Sequence, residues 1–218
     1  MALAIFDLDN TLLNGDSDHA WGEYLVQHGR VDAQAYQEAN DYFYQQYKQA
    51  KLNIYEYLDF ALKPLAQHTN ETLKQWHDEF MQITVEPMLQ ERAFDLLEKH
   101  REAGDFLLII TATNAFVTHP IAKRLGVDAI LATDPEIIDG KYTGKITGTP
   151  CFQDGKITRL QSWLATQHLD LTDSYFYSDS INDLPLLEIV DNPVVVDGDE
   201  LLLAAADKNQ WPCISLRE

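Results

Sequence analysis

Residues 1–16 read MALAIFDLDNTLLNGD, and this stretch decides how the rest of the chain is understood. From Ala2 to Leu8 the run has the length and composition of a buried strand. It carries two acids, Asp7 and Asp9, at its end, followed by Asn10, Thr11 and two leucines. A carboxylate is costly to bury unless something compensates it. A strand that ends in two acids therefore implies a compensating partner elsewhere in the chain.

The length, 218 residues, suits one sizeable domain with a smaller attachment. Hydrophobic residues make up 45% and aromatic residues 11%, enough for a packed core, and no apolar stretch approaches a membrane span. Asp7 follows Met1 too closely, with no basic segment, for a secretory signal. Two cysteines, Cys151 and Cys213, are read as reduced thiols of a cytoplasmic protein. A net charge of -19 repels phosphate backbones and anionic bilayers, which argues against nucleic acid or membrane as the partner. A small anionic substrate stays compatible with it, because the field at a metal or helix terminus outweighs net charge locally. Oligomeric state is not legible.

Outward from the opening run, Phe106–Thr111, Ser174–Ser178 and Pro193–Val196 read as further buried strands, with Val127–Ala132 as another. The spacing predicts helices over Pro87–Arg101, stopped by Gly104, and over Thr118–Leu125, stopped by Gly126. Continuous apolar strands alternating with helices indicate an α/β fold, a doubly wound parallel sheet covered on both faces. Asp139 to Gly148 reads as a β-hairpin excursion rather than a phosphate loop. Residues 15–85 break the alternation and predict a small inserted helical cap, leaving 1–14 and 86–218 as the core. Seven of the ten tyrosines fall in this insert, and their spacing suits helix packing better than a ligand site. The seven histidines form no metal-binding spacing; His19 alone is close enough to Asp16 to reach a pocket mouth. Trp211-Pro212 is expected to pack the last segment onto the sheet.

In such a sheet, ligands collect beyond the carboxyl ends of the strands. Asp7 and Asp9 end the first strand, Thr111 the second, and Asp179 with Asp183 follows the third. Four carboxylates in one crevice require a cation, and hard oxygen donors without Cys or His point to Mg²⁺.

Taken in order, Asp7-Leu8-Asp9-Asn10-Thr11, Ile110-Thr111-Ala112-Thr113-Asn114, Lys156 in Gln153-Asp154-Gly155-Lys156, and Ser178-Asp179-Ser180-Ile181-Asn182-Asp183 resemble the four motifs of the haloacid dehalogenase superfamily. The resemblance covers nearly the whole chain and is nearest to the phosphoserine-phosphatase-type branch, whose cap follows the first motif. Ser178 and Ser180 stand where many members have glycine. The resemblance implies a Rossmann-like core and an Mg²⁺-dependent phosphomonoesterase acting through an aspartyl-phosphate. Asp7 would be the nucleophile and Asp9 the acid and base. The metal would be held by Asp7, the Asp9 carbonyl and Asp179, with Asp183 positioning metal waters or Lys156. Thr111, the Ala112 N–H, Lys156 and Asn182 would bind phosphate. A receiver-type signalling switch shares the acids, Thr and Lys, but lacks the second acid and the cap. A phosphotransferase would carry the same motifs as a hydrolase.

In that branch a Glu nine residues after the nucleophile binds the substrate amine, and Asp16 occupies the position here. The branch's carboxylate-binding Arg corresponds by count to Ala61, with Lys63 on another helical face. Residues 15–85 hold eleven acids and five bases. A phosphorylated amino alcohol fits these differences, histidinol phosphate first, with phosphoserine, phosphocholine and phosphoethanolamine as alternatives.

Overall fold

The computed structural model describes residues 2–217. In chain order it contains β1 (Leu3–Phe6), α1 (Ser17–Gln27), α2 (Ala33–Lys48), α3 (Ile54–Ala61), α4 (Lys63–Gln67) and α5 (Asn70–Phe80). There follow α6 (Glu91–Ala103), β2 (Phe106–Asn114), α7 (Ala115–Leu125), β3 (Ala129–Ile138), β4 (Lys141–Thr147) and α8 (Asp154–Leu164). The chain closes with β5 (Tyr175–Ser178), α9 (Leu184–Leu187), β6 (Asn192–Val196), α10 (Glu200–Asn209) and β7 (Cys213–Ile214).

These strands form one seven-stranded sheet in the order β4-β3-β2-β1-β5-β6-β7. Every pairing is parallel except β3 with β4. The chain winds from β1 outward through β2 and β3, then returns to the other side of β1 for β5, β6 and β7. Strand order thus reverses at β1, and the crevice beyond its carboxyl end is where an open α/β sheet collects ligands.

Successive residues of β1 face opposite sides, and both sides are covered. Leu3 and Ile5 join Leu108, Ile110, Phe176 and Val195 in a core roofed by residues such as Leu160, Leu187 and Leu202. Ala4 and Phe6 join Leu107, Ile109 and Val196 in the opposite core, which continues into Trp21, Tyr24 and Phe80 of the inserted helices. Trp21 meets Phe80 at 5.2 Å and Phe116 of α7 at 5.4 Å, both edge-on. The insert is thereby anchored to the sheet by aromatic packing as well as by its two chain connections.

Several boundaries differ from the sequence reading. The first strand stops at Phe6, because Leu8–Leu12 bends into a wide turn. The segment expected to end at Ala132 runs on as β3 to Ile138, and Asp139-Gly140, both at positive φ (50° and 76°), turn it tightly into β4. The helix expected from Thr118 starts earlier, at Ala115, because the Asn114 side chain accepts the Val117 N–H as its cap. Lys156 lies within the first turn of α8. Trp211 packs on the sheet as expected, and the segment after it adds a short edge strand that the sequence did not announce. Among the described residues no helix is long and apolar enough to cross a membrane.

Helix α8 sits under a tight steric constraint. A Cβ on Gly155 would lie 2.1 Å from the Pro150 carbonyl oxygen, a backbone atom that cannot rotate away. Gly155→Ala is therefore expected to destabilise the fold by about 1–3 kcal/mol through overpacking. A denaturant midpoint unchanged by the substitution would show that this contact does not seat the helix.

Candidate active site

The turn after β1 sets the first part of the site. The Asp7 N–H still bonds to the Tyr177 carbonyl at 2.9 Å, which fixes Asp7 at the sheet edge. Asp9 is extended (φ -73°, ψ 132°) and Asn10 left-handed (φ 57°), a conformation asparagine tolerates better than most residues. The Asp9 carboxylate is then held from two directions. It accepts the Ser17 N–H at 2.6 Å and the Thr113 hydroxyl at 2.7 Å. The first of these donors is at the positive end of α1, which favours a carboxylate there.

Lys156 reaches across the crevice from α8. Its Nζ donates to Asp7 Oδ1 at 2.8 Å and approaches Asp183 Oδ1 at 2.7 Å. The lysine is only 2% exposed. Burial works against its ammonium, yet Asp183 and Asp7 beside it more than compensate and hold its pKa above the usual lysine value. Burial lifts Asp7 to about 7 against the pull of Lys156. Asp179 is lifted well above the carboxylate range by burial and by the charges of Asp7 and Asp183, with the Thr11 hydroxyl donating to it at 3.1 Å.

Asp7 and Asp183 thus share one ammonium and Asp179 has the Thr11 hydroxyl, so two negative charges are unmatched when all three acids ionise. A divalent cation fits that deficit, and the donors around it are oxygens, which suits a hard ion. Among the described residues no three His, Cys, Asp or Glu side chains gather as a metal cluster. The carboxylates available are Asp7 and Asp179, so the remaining ligands would be backbone carbonyl or water, as Mg²⁺ commonly takes them.

Thr111 and Ala112 owe their exposure to the crevice to a break in pairing. The β2–β3 register runs Ile110↔Leu131 and resumes at Asn114↔Thr133, so three residues of β2 oppose one of β3. This bulge frees Thr111–Thr113 from the ladder and turns them towards Asp7 and Asp9. Both Thr111 and Ala112 line the cavity above those acids.

The serines of the fourth motif stitch its loop together. Ser178 donates to Asp183 Oδ2 at 2.7 Å, and the Ser180 side chain accepts the Asn182 N–H at 3.3 Å. Ser180 has φ -113°, so glycine's freedom is not needed there. Asn182 differs from expectation. Its amide donates to the Tyr47 carbonyl (3.2 Å) and Ser180 Oγ (3.1 Å) and accepts from Gln153 (3.0 Å), which leaves no donor for a phosphate. It ties the loop to the end of α2 instead.

The cavity over Asp7 and Asp9 encloses about 540 Å³ of empty space, its open mouth included. Asp16 and Asp18 line it from α1, Phe43, Tyr44 and Tyr47 from α2, and Tyr57 from α3. Among the described residues, no lysine or arginine side chain lines it. Burial lifts Asp9 and Asp16 to about 6 and Asp18 to about 7, with neighbouring acids adding to each shift.

The tyrosine reading needs correcting in part. Tyr24 is a packing residue as expected, whereas Tyr44, Tyr47 and Tyr57 face the cavity. Helical spacing alone does not separate the two, because one face of α2 meets a void instead of another helix. Asp18 and Tyr57 were not singled out by sequence; the acid pair Asp16-x-Asp18 at a helix start was a signal for Asp18, and nothing set Tyr57 apart from the other tyrosines of the insert. Ala61 is buried and Lys63 exposed, and neither lines the cavity.

Comparison with known proteins matches this geometry. The description haloacid dehalogenase-like hydrolase fits residues 4–188. A protein named histidinol-phosphatase from Neisseria meningitidis serogroup C (strain 8013) is 44% identical over 219 residues, 99% of both chains. The crystal structure of a protein with unknown function from Bordetella pertussis Tohama I is 44% identical, with a TM-score of 0.93 over 99% of each chain. A substrate-bound phosphoserine phosphatase shares the fold at a TM-score of 0.73 and 18% identity, covering 98% of this chain and 92% of that one. The family match runs from Ala4 in the first strand to Glu188, past Asp183, so every acid of the crevice described above falls inside it: this chain belongs to the haloacid dehalogenase-like hydrolases, as one of the phosphatases among them.

Proposed function

We propose that the chain is an Mg²⁺-dependent phosphomonoesterase that works through an aspartyl-phosphate on histidinol phosphate, with residues 15–85 acting as the cap that chooses the substrate. The observation that carries the substrate is the cavity wall away from Asp7: Asp9, Asp16, Asp18 and several aromatic rings, with no lysine or arginine among the described residues that line it. A cationic amino alcohol is stabilised there by charge and by ring faces. Phosphoserine would bring a carboxylate into the same wall without a cation to receive it. The 44% identical relative named histidinol-phosphatase supports this choice.

In the proposed reaction a carboxylate oxygen of Asp7 attacks phosphorus, and the ester P–O bond breaks. Asp9, held by Ser17 and Thr113, gives its proton to the departing alkoxide. Asp9 then takes a proton from water, which attacks phosphorus and releases Asp7. Thr111 and the Ala112 N–H hold phosphoryl oxygens. Lys156, fixed between Asp7 and Asp183, offsets charge on nucleophile and phosphate together. Mg²⁺ held by Asp7, the Asp9 carbonyl and Asp179 would supply Lewis-acid stabilisation of the phosphoryl charge. Asp183 positions Lys156. The Oδ1 of Asp16 caps α1 through the Asp18 and His19 N–H groups, and its other oxygen is assigned to the substrate amine.

Phosphate release with Mg²⁺ should favour histidinol phosphate over phosphoserine by more than about tenfold in kcat/KM, the scale of one missing charged partner. It should stop on metal removal and fall more than about a thousandfold in Asp7→Asn. A preference for phosphoserine would overturn the substrate, and activity retained after metal removal would overturn the cofactor.

Asp16→Asn separates the amine reading from helix capping, because asparagine caps as well as aspartate. Its loss on amino-alcohol phosphates should exceed its loss on a neutral aryl phosphate by about tenfold or more. Equal losses would contradict the assignment.

A further inference from the structure

Asp16 and Asp18 lie two residues apart at the start of one helix, yet their surroundings differ. Asp16 is committed to the backbone: its Oδ1 receives two N–H groups. Asp18 caps nothing and has no ion pair among the described residues. His19 is the nearest basic ring, but its Nε2 sits on Asp41 at 3.1 Å, its Nδ1 points towards Glu23, and its face stacks on Tyr44 at 4.3 Å. Of the hydroxyls within reach of Asp18, that of Thr113 is already given to Asp9 at 2.7 Å, which leaves Tyr57. An acid that burial disfavours is thus kept at a cavity wall with one phenol for company.

Flat apolar walls surround it. Phe43 and Tyr57 meet edge to face at 5.5 Å, both lining the same cavity. Ring faces beside an unpaired carboxylate suit a planar cation that stacks on the rings and donates an N–H in its own plane. A free amine needs only the carboxylate; a protonated heteroaromatic ring uses both.

We propose that Asp18 and Tyr57 form a second substrate subsite that takes a protonatable heteroaromatic ring, so that the cap selects phosphate esters carrying two basic groups, the amine at Asp16 and the ring at Asp18. This rests on the amino-alcohol reading and extends it: one carboxylate recognises the charge common to all amino alcohols, the other separates those with a ring from those without.

The test is steady-state kinetics of the Mg²⁺-loaded wild type, Asp18→Asn and Tyr57→Phe on histidinol phosphate, phosphoethanolamine, phosphoserine and 4-nitrophenyl phosphate, with thermal unfolding of each variant. For Asp18→Asn, kcat/KM on histidinol phosphate should fall about 10–100-fold, chiefly through KM, and its loss on phosphoethanolamine should be at least about tenfold smaller. Tyr57→Phe should shift the same ratio in the same direction by about 3–10-fold. Equal losses of Asp18→Asn on all four esters, or no loss on histidinol phosphate, would overturn the second subsite. So would a wild type that handles histidinol phosphate no better than phosphoethanolamine, although the amino-alcohol reading would stand. A wild type that prefers phosphoserine to both would refute that reading, and the subsite with it.

Discussion

Lys156 between Asp7 and Asp183 is the contact on which the rest of the site depends. It joins residues 149 and 27 positions apart, from the end of β1, the first turn of α8 and the loop after β5. A buried ion pair is a poor source of net stability, but breaking one leaves an uncompensated charge that costs several kcal/mol. The three elements are therefore bound to a common geometry. The local backbone carries strain to satisfy it: Gln153, just before α8, is held at φ 48°, ψ -124°, and Gly155 packs against the Pro150 carbonyl. A non-glycine residue in such a region costs on the order of 1–3 kcal/mol, and it persists where surrounding contacts over-determine it. Here the Gln153 side chain is in turn bonded to Asn182 in the neighbouring loop.

Helix α1 links the acid Asp9 after β1 to the acids that line the cavity. Its first N–H groups bind Asp9 and Asp16, and its first turn carries Asp18. Its other face, with Trp21 and Tyr24, is embedded in the core shared with the sheet. Asp9 is thus tied by a hydrogen bond to the helix that positions Asp16 and Asp18, and a shift of α1 would disturb all three acids. Asn182 adds a second tie, from the loop after β5 to the Tyr47 carbonyl at the far end of α2.

Much of this was legible in the sequence for a physical reason. Buried strands read as continuous apolar runs, and strand ends in a parallel sheet are the places where polar residues can meet. Asp7, Thr111 and Asp179 were therefore locatable from position alone. The tie between Lys156 and the two acids was legible only through family resemblance, since no local pattern pairs residue 156 with residue 7. The bulge at Thr111–Thr113 was hidden because it depends on how β3 pairs, and β3 itself was read six residues short. The cavity face of α2 was hidden because Tyr44 and Tyr47 have the same spacing as packing residues; only the arrangement of α1 and α3 opposite them leaves a void. Asn182 was misjudged for the same reason, its partner being a backbone carbonyl in the insert.

The central claim is that Asp7 is the group that forms a bond to phosphorus. The most direct measurement is peptide mass spectrometry of the Mg²⁺-loaded enzyme quenched in acid during turnover of histidinol phosphate. The account predicts a phosphate mass on the peptide containing Asp7, absent from Asp7→Asn treated identically. Phosphate on a different residue, or an Asp7→Asn protein that turns over at the wild-type rate, would contradict it.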